Sequence, residues 1–161
     1  MEKDLFVESY IEYRIKGNRP GDMAEVFLTK ALKEHPFPEF EGEKFVSEDI
    51  VWIQIGLKYK FLFVNKPIYQ CEYLEDGLTT NDKKMKFASP KGSMLRGKML
   101  MIPQCGWNVN LKGAIIYNCY SLELKGERPE LLKLKSRREK LITYSLFMVG
   151  KYFNTKWKKG L

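Results

Sequence analysis

The segment SEDIVWIQIGLKYKFLFV (47–64) constrains the fold most, because so dense an apolar pattern must be buried and its period decides the element. Val51, Ile53, Ile55, Leu57 and Tyr59 alternate as in a strand, whereas Ile50, Ile53, Leu57 and Phe61 follow a helical stripe. The start of the segment separates the two. Ser47 suits an N-cap, and Glu48 and Asp49 put carboxylates in a first turn, where exposed amides and the helix dipole favour negative charge. A helix over 48–58 followed by a strand over 60–64 is therefore expected.

The flanking segments extend this into an α/β pattern. Leu5, Phe6, Tyr10, Ile11 and Tyr13 recur at a roughly helical period until Gly17-Asn18-Arg19-Pro20-Gly21 supplies turn formers. Met23–Phe27 reads as a short strand, Thr29 as the cap of a brief helix over 30–35, and Pro36 as its stop. Residues 36–45 form a loop rich in aromatics and carboxylates. Ile68–Tyr73 alternates as a strand before the turn Glu75-Asp76-Gly77. Beyond Thr80 the chain becomes a Lys-rich loop and then helical, with patterns near 93–102, 108–123 and 130–153. At 161 residues it has the length of one ordinary domain.

Several function classes drop out. The longest uncharged stretch of interest, Leu141–Gly150, is far short of the ~20 apolar residues of a membrane span. The acidic start, Met1-Glu-Lys-Asp-Leu, is unlike a signal peptide, so a cytoplasmic location is expected. Cys71, Cys105 and Cys119 are odd in number and widely spaced, which fits reduced packing residues better than disulfides or paired zinc thiolates. His35 is the only histidine, and its place at a helix end suits a surface residue more than a catalytic triad. The formal charge of +8 is unevenly spread: residues 1–80 sum to −5, residues 81–121 to +6 and residues 122–161 to +7. The second half is thus suited to an anionic partner.

Asp22, the pair Glu48 and Asp49, and Asp76 are the carboxylates of interest. A carboxylate at a helix N-terminus is held ionised by backbone donors and is a natural base, although the same residues equally serve to satisfy helix amides. Four stretches carry more information: GDMAEVF (21–27), FPEFEGEKF (37–45), SED (47–49) with Trp52, and YLEDGLT (73–79). In this order they resemble the acceptor-side, C-terminal half of family-two glycosyltransferases, GT-A-fold enzymes that move a sugar from a nucleotide-diphosphate donor to an acceptor hydroxyl. The resemblance covers roughly residues 20–98. It implies an incomplete GT-A-type domain over 1–98 and a helical basic tail over 99–161. By the same resemblance Asp49 is the general base, Glu48, Trp52 and Asp22 bind the acceptor, and Asp76 and Lys86 belong to a loop near the donor diphosphate.

The chain departs from the family in lacking Asp-X-Asp, a glycine-rich phosphate cradle and a Gln-X-X-Arg-Trp motif. The resemblance thus implies a non-processive enzyme whose donor half is missing here. No cofactor is expected on this chain, and the divalent metal, Mg or Mn, belongs to the complete enzyme. The expected partners are a nucleotide-sugar, a glycan or lipid-linked acceptor, and an N-terminal half or a second copy. The alternative is a non-catalytic interaction or membrane-surface module derived from such an enzyme.

The basic residues invite a further reading. Lys83, Lys84, Lys86, Lys91 and Arg96 suit either a loop over a diphosphate or a solvated face, and no nucleic-acid-binding motif accompanies them. In the tail, Arg137, Arg138 and Lys140 precede an apolar stretch, and Lys151, Lys156, Lys158 and Lys159 follow among Tyr152, Phe153 and Trp157. That pattern fits a helix lying at an anionic inner-membrane surface, or an ordinary helix packed on the domain.

Overall fold

The computed structural model describes residues 4–19, 22–70, 72 and 81–160. Two strands, β1 (Leu5–Glu8) and β2 (Phe61–Val64), pair antiparallel with Leu5 opposite Val64 and Glu8 opposite Phe61. Seven α-helices accompany them among the described residues: α1 (Thr29–Glu34), α2 (Asp49–Lys58), α3 (Asp82–Ala88), α4 (Pro90–Leu100), α5 (Trp107–Ser121), α6 (Arg137–Ser145) and α7 (Phe147–Lys158). The α/β expectation holds in this coarse form, a helical chain with a small sheet.

The double period of residues 47–64 has a structural cause. Ile50, Val51, Ile53 and Ile55 of α2 are all buried, so the helix is covered on more than one side and shows no single apolar stripe. Ile50 belongs to a core with Met94, Leu95, Tyr117 and Leu132 from the helical half. Ile53 belongs to a second core with Tyr10, Ile11, Leu100 and Cys105. α2 therefore joins the two cores, and its N-terminus lies between them.

The helical core is built on close approach. α4 and α5 form the most extensive helix pair. A Cβ at Gly97 would stand 2.6 Å from the Tyr117 backbone nitrogen and 2.7 Å from the Gly113 carbonyl oxygen, so only glycine lets the helices cross here. Gly150 lets α7 rest on the Asn118 side chain in the same way. Three buried asparagines then tie the helices by their amide groups. Asn110 donates to the Leu100 and Ile102 carbonyls at 2.7 and 2.8 Å and accepts from Arg138. Asn118 donates to Thr143 O and Asn154 to Cys119 O. Buried amides are costly unless paired, and these pairs fix which turn of each helix meets which.

Several local expectations are corrected. Residues 5–8 form a strand and Ile11–Lys16 a π-helix, because Phe6 and Phe63 stack at 5.2 Å and draw residues 5–8 into a ladder. Met23–Phe27 keeps the alternation of a strand, with Met23, Glu25 and Phe27 partly buried, but forms no ladder. Residues 68–70 likewise form no strand; Tyr73, the turn at Glu75-Asp76-Gly77 and Cys71 lie outside the described residues. Thr29 opens α1 without capping it, and the cap position of α2 falls to Glu48 instead of Ser47. Lys83–Lys86 is helical, within α3. The tail pattern divides at Leu146 into α6 and α7, after a 3₁₀ turn at Glu130–Leu132. Residue 98, the expected domain boundary, lies inside α4.

Candidate functional site

The first turn of α2 brings Asp49 to the junction of the two cores. Its Oδ2 accepts from Arg96 Nε of α4 at 2.7 Å, and its Oδ1 accepts from the Ser47 hydroxyl at 2.7 Å. The carboxylate is 15% exposed and the Arg96 side chain 32% exposed, so the pair is partly shielded while still reachable from solvent. Ser47 thus fixes the Asp49 side chain instead of capping the helix. Glu48 is exposed beside it.

The helix that carries Arg96 is itself held by a motif residue. Both oxygens of Glu43 accept at the start of α4, from the Lys91 N–H at 2.8 Å and the Gly92 N–H at 2.9 Å. A carboxylate there meets free amides and the positive end of the dipole. Gly42 precedes it at φ 78°, a conformation that glycine adopts without strain. Gly92 is also needed, since a Cβ there would collide with the Phe45 carbonyl oxygen. The loop FEGEKF is therefore a clamp that sets Arg96 against Asp49.

A cleft of about 1230 Å³ lies beside β2. Strand β2, residues 65–69, the π-helix and residues 22–28 line it, with Asp22, Glu25, Arg14, Tyr10 and Tyr59 among its polar groups. Burial raises the Glu25 carboxyl above the usual carboxylate range; Glu48 and Asp22 add to the rise and Arg14 opposes it. Burial also pushes the Tyr10 hydroxyl up to about 12, with Asp49 contributing. Asp22, Glu25, Glu48, Asp49 and Tyr10 thus share one electrostatic neighbourhood. Arg14 and the Arg96 paired with Asp49 are cationic members of the group.

The other expected site residues are placed differently. Trp52 is half-buried, stacked on Phe27 at 4.2 Å and met edge-on by Phe37, so its ring face is already covered. Lys86 pairs with Asp82 at 2.6 Å across one turn of α3. Asp76 lies outside the described residues. Cys105 and Cys119 are buried free thiols that burial pushes up to about 11 and about 12, as suits packing residues. His35 departs from the surface expectation: it ends α1 half-buried, with Nε2 shielded and unpartnered among the described residues.

Sequence reasoning singled out Asp49, Glu48 and Asp22 but not Glu25, Tyr10, Arg14 or Glu43. Glu25 and Glu43 stand inside the motif strings, where nothing in the spacing separates them from neighbouring carboxylates. No family model, curated protein or solved structure matches the chain.

Proposed function

We propose that the chain is the acceptor-side half of a glycosyltransferase resembling family two, with a GT-A-type domain completed by a donor half. What supports the reading is the meeting of three separate motif strings at the N-terminus of α2. GDMAEVF supplies Asp22 and Glu25, FEGEKF supplies the clamp for α4, and SED supplies Asp49. In this reading an acceptor sugar or lipid-linked acceptor enters beside Asp49, whose carboxylate is held in place by Arg96 and Ser47. Asp49 takes the acceptor O–H proton as the oxygen bonds the anomeric carbon from the face opposite the leaving group. The bond from that carbon to the diphosphate breaks, and the nucleoside diphosphate leaves with the electron pair. Among the described residues no group of three His, Cys, Asp or Glu side chains is arranged to hold a metal ion, and no step here runs through one.

In the complete enzyme Asp49→Asn is expected to lower kcat by ~10²- to 10⁴-fold with donor affinity nearly unchanged, because the loss belongs to proton transfer. Glu48→Gln should lose less. Full turnover in Asp49→Asn together with its loss in Asp22→Asn would move the base to Asp22. The isolated chain is expected to transfer no sugar.

A second reading, a non-catalytic module that keeps the fold, is favoured by one observation. Both Asp49 oxygens already have partners, and a residue kept only for structure needs no more. The two readings separate on Arg96→Gln in the complete enzyme. A structural pair predicts a change in stability alone; a positioned base predicts a fall in kcat at unchanged donor affinity.

A further inference from the structure

α6 and α7 are separate helices, but they keep one inward face across Leu146. Ile142, Thr143, Gly150 and Asn154 are buried, and Leu146 and Trp157 pack against the core between and beyond them. The opposite face is apolar where a soluble helix is ordinarily polar. Leu141, Tyr144, Met148 and Tyr152 are 70, 85, 69 and 59% exposed and follow one another at steps of three or four residues. They form a continuous ridge, unlike the isolated apolar residues scattered over any protein surface.

The borders of this ridge carry one sign of charge. Arg137, Lys140, Lys151 and Lys156 are exposed beside it, and none forms an ion pair among the described residues. The sole carboxylate between residues 137 and 160 is Glu139, which is turned away to accept from the Lys135 and Ser136 backbone N–H groups in a capping box. No helix among the described residues is long and apolar enough to cross a membrane.

We propose that the outer face of α6 and α7 docks on the surface of an anionic lipid bilayer, with the helices lying along it. Leu141 and Met148 enter the acyl boundary, Tyr144 and Tyr152 sit at headgroup level with their hydroxyls outward, and the lysines reach the lipid phosphates. Leu141 and Met148 argue for lipid over nucleic acid, since a phosphate backbone offers them nothing. The missing carboxylates argue for it over a second copy, because two such faces would set like charges against each other. The inference stands on this face alone and does not depend on the transferase reading.

The test is co-flotation of the full chain with phosphatidylcholine vesicles that contain or lack phosphatidylglycerol. Binding is expected only with the anionic lipid, and should be lost at about 1 M salt, where the screening length falls to ~3 Å. Lys140→Glu with Lys151→Glu should weaken it by about 25-fold or more, as each neutralised base near the surface accounts for roughly fivefold. Tyr144→Ser with Met148→Ser should weaken it by at least about fivefold at unchanged net charge and unchanged melting temperature, since exposed apolar residues contribute only if they enter lipid. Equal binding to both vesicles, none to either, or serine variants that bind as well as the parent would overturn the proposal. So would binding to RNA or self-association that the serine variants abolish without any vesicle binding by the parent.

Discussion

The helical half and the sheet half of this protein are held together in different ways. Between α4 and α7 backbones touch at glycines, and buried asparagines bond main-chain carbonyls of neighbouring helices. Around β1 and β2 the contacts are between rings: Phe6, Tyr13 and Phe63 cluster within 4.2 to 5.2 Å, with Phe61 and Tyr10 beside them. The outer face of that sheet, Leu5, Val7, Leu62 and Val64, is more than half exposed. A two-stranded sheet with one covered face buries too little to stand alone. The sheet half therefore leans on α2, and the candidate site lies where stiff and soft regions meet.

That difference predicts that one added methyl costs more in the helical half. Gly97→Ala drives a Cβ against two backbone atoms that cannot turn aside, and is expected to lose about 3 kcal/mol, near the upper end for overpacking. Gly56→Ala in α2 meets the Tyr10 Cβ at 2.9 Å, a contact that the softer π-helix can relieve by a small shift, for a loss of about 1 kcal/mol. Urea midpoints at constant slope measure both. Equal losses would erase the contrast.

The polar ties give a smaller comparison. Asn110→Ala leaves the Leu100 and Ile102 carbonyls short of a donor and removes an acceptor from Arg138, a loss of about 2 to 3 kcal/mol for buried polar groups. Ser9→Ala removes the hydroxyl that accepts from the Ile11 N–H at 3.2 Å where the π-helix begins, and should lose about 0.5 to 1 kcal/mol as an ordinary cap does. Hydrogen exchange sharpens the result: Asn110→Ala should speed exchange across α4, α5 and α6 together, and Ser9→Ala only near its own turn.

The same contrast decided what could be read from the sequence. α2 and β2 were legible because acids at the helix start and alternation in the strand are local signals, and α4 and α5 because their helical patterns run long. The N-terminal strand was missed because ring stacking with Phe63, fifty-seven residues after Phe6, overrides a weak helical period. Within the site, Asp49 could be picked out at a helix start. Its partner Arg96 could not, since the pair spans 47 residues and depends on Glu43 fixing α4. Nor could the cleft, since much of its wall, residues 22–28 and 65–69, forms no regular ladder.

The smallest effect concerns Glu25 and tests whether the site belongs to the soft half. Burial raises its folded carboxyl above the ordinary value of 4.5, so the folded chain holds a proton more tightly than the unfolded one. Below pH about 4.5 both states are protonated and Glu25 carries no penalty; as pH rises through the raised folded value, stability is lost, and above it the loss is constant. Glu25→Gln should therefore be more stable than the parent at pH 7 and indistinguishable from it near pH 4. Because Glu25 is partly exposed, the gain should be small. Chemical denaturation of both proteins across this range checks it. A glutamine variant less stable at neutral pH would mean that Arg14 outweighs burial, making Glu25 a paired carboxylate of a rigid site instead of a strained one in a yielding cleft.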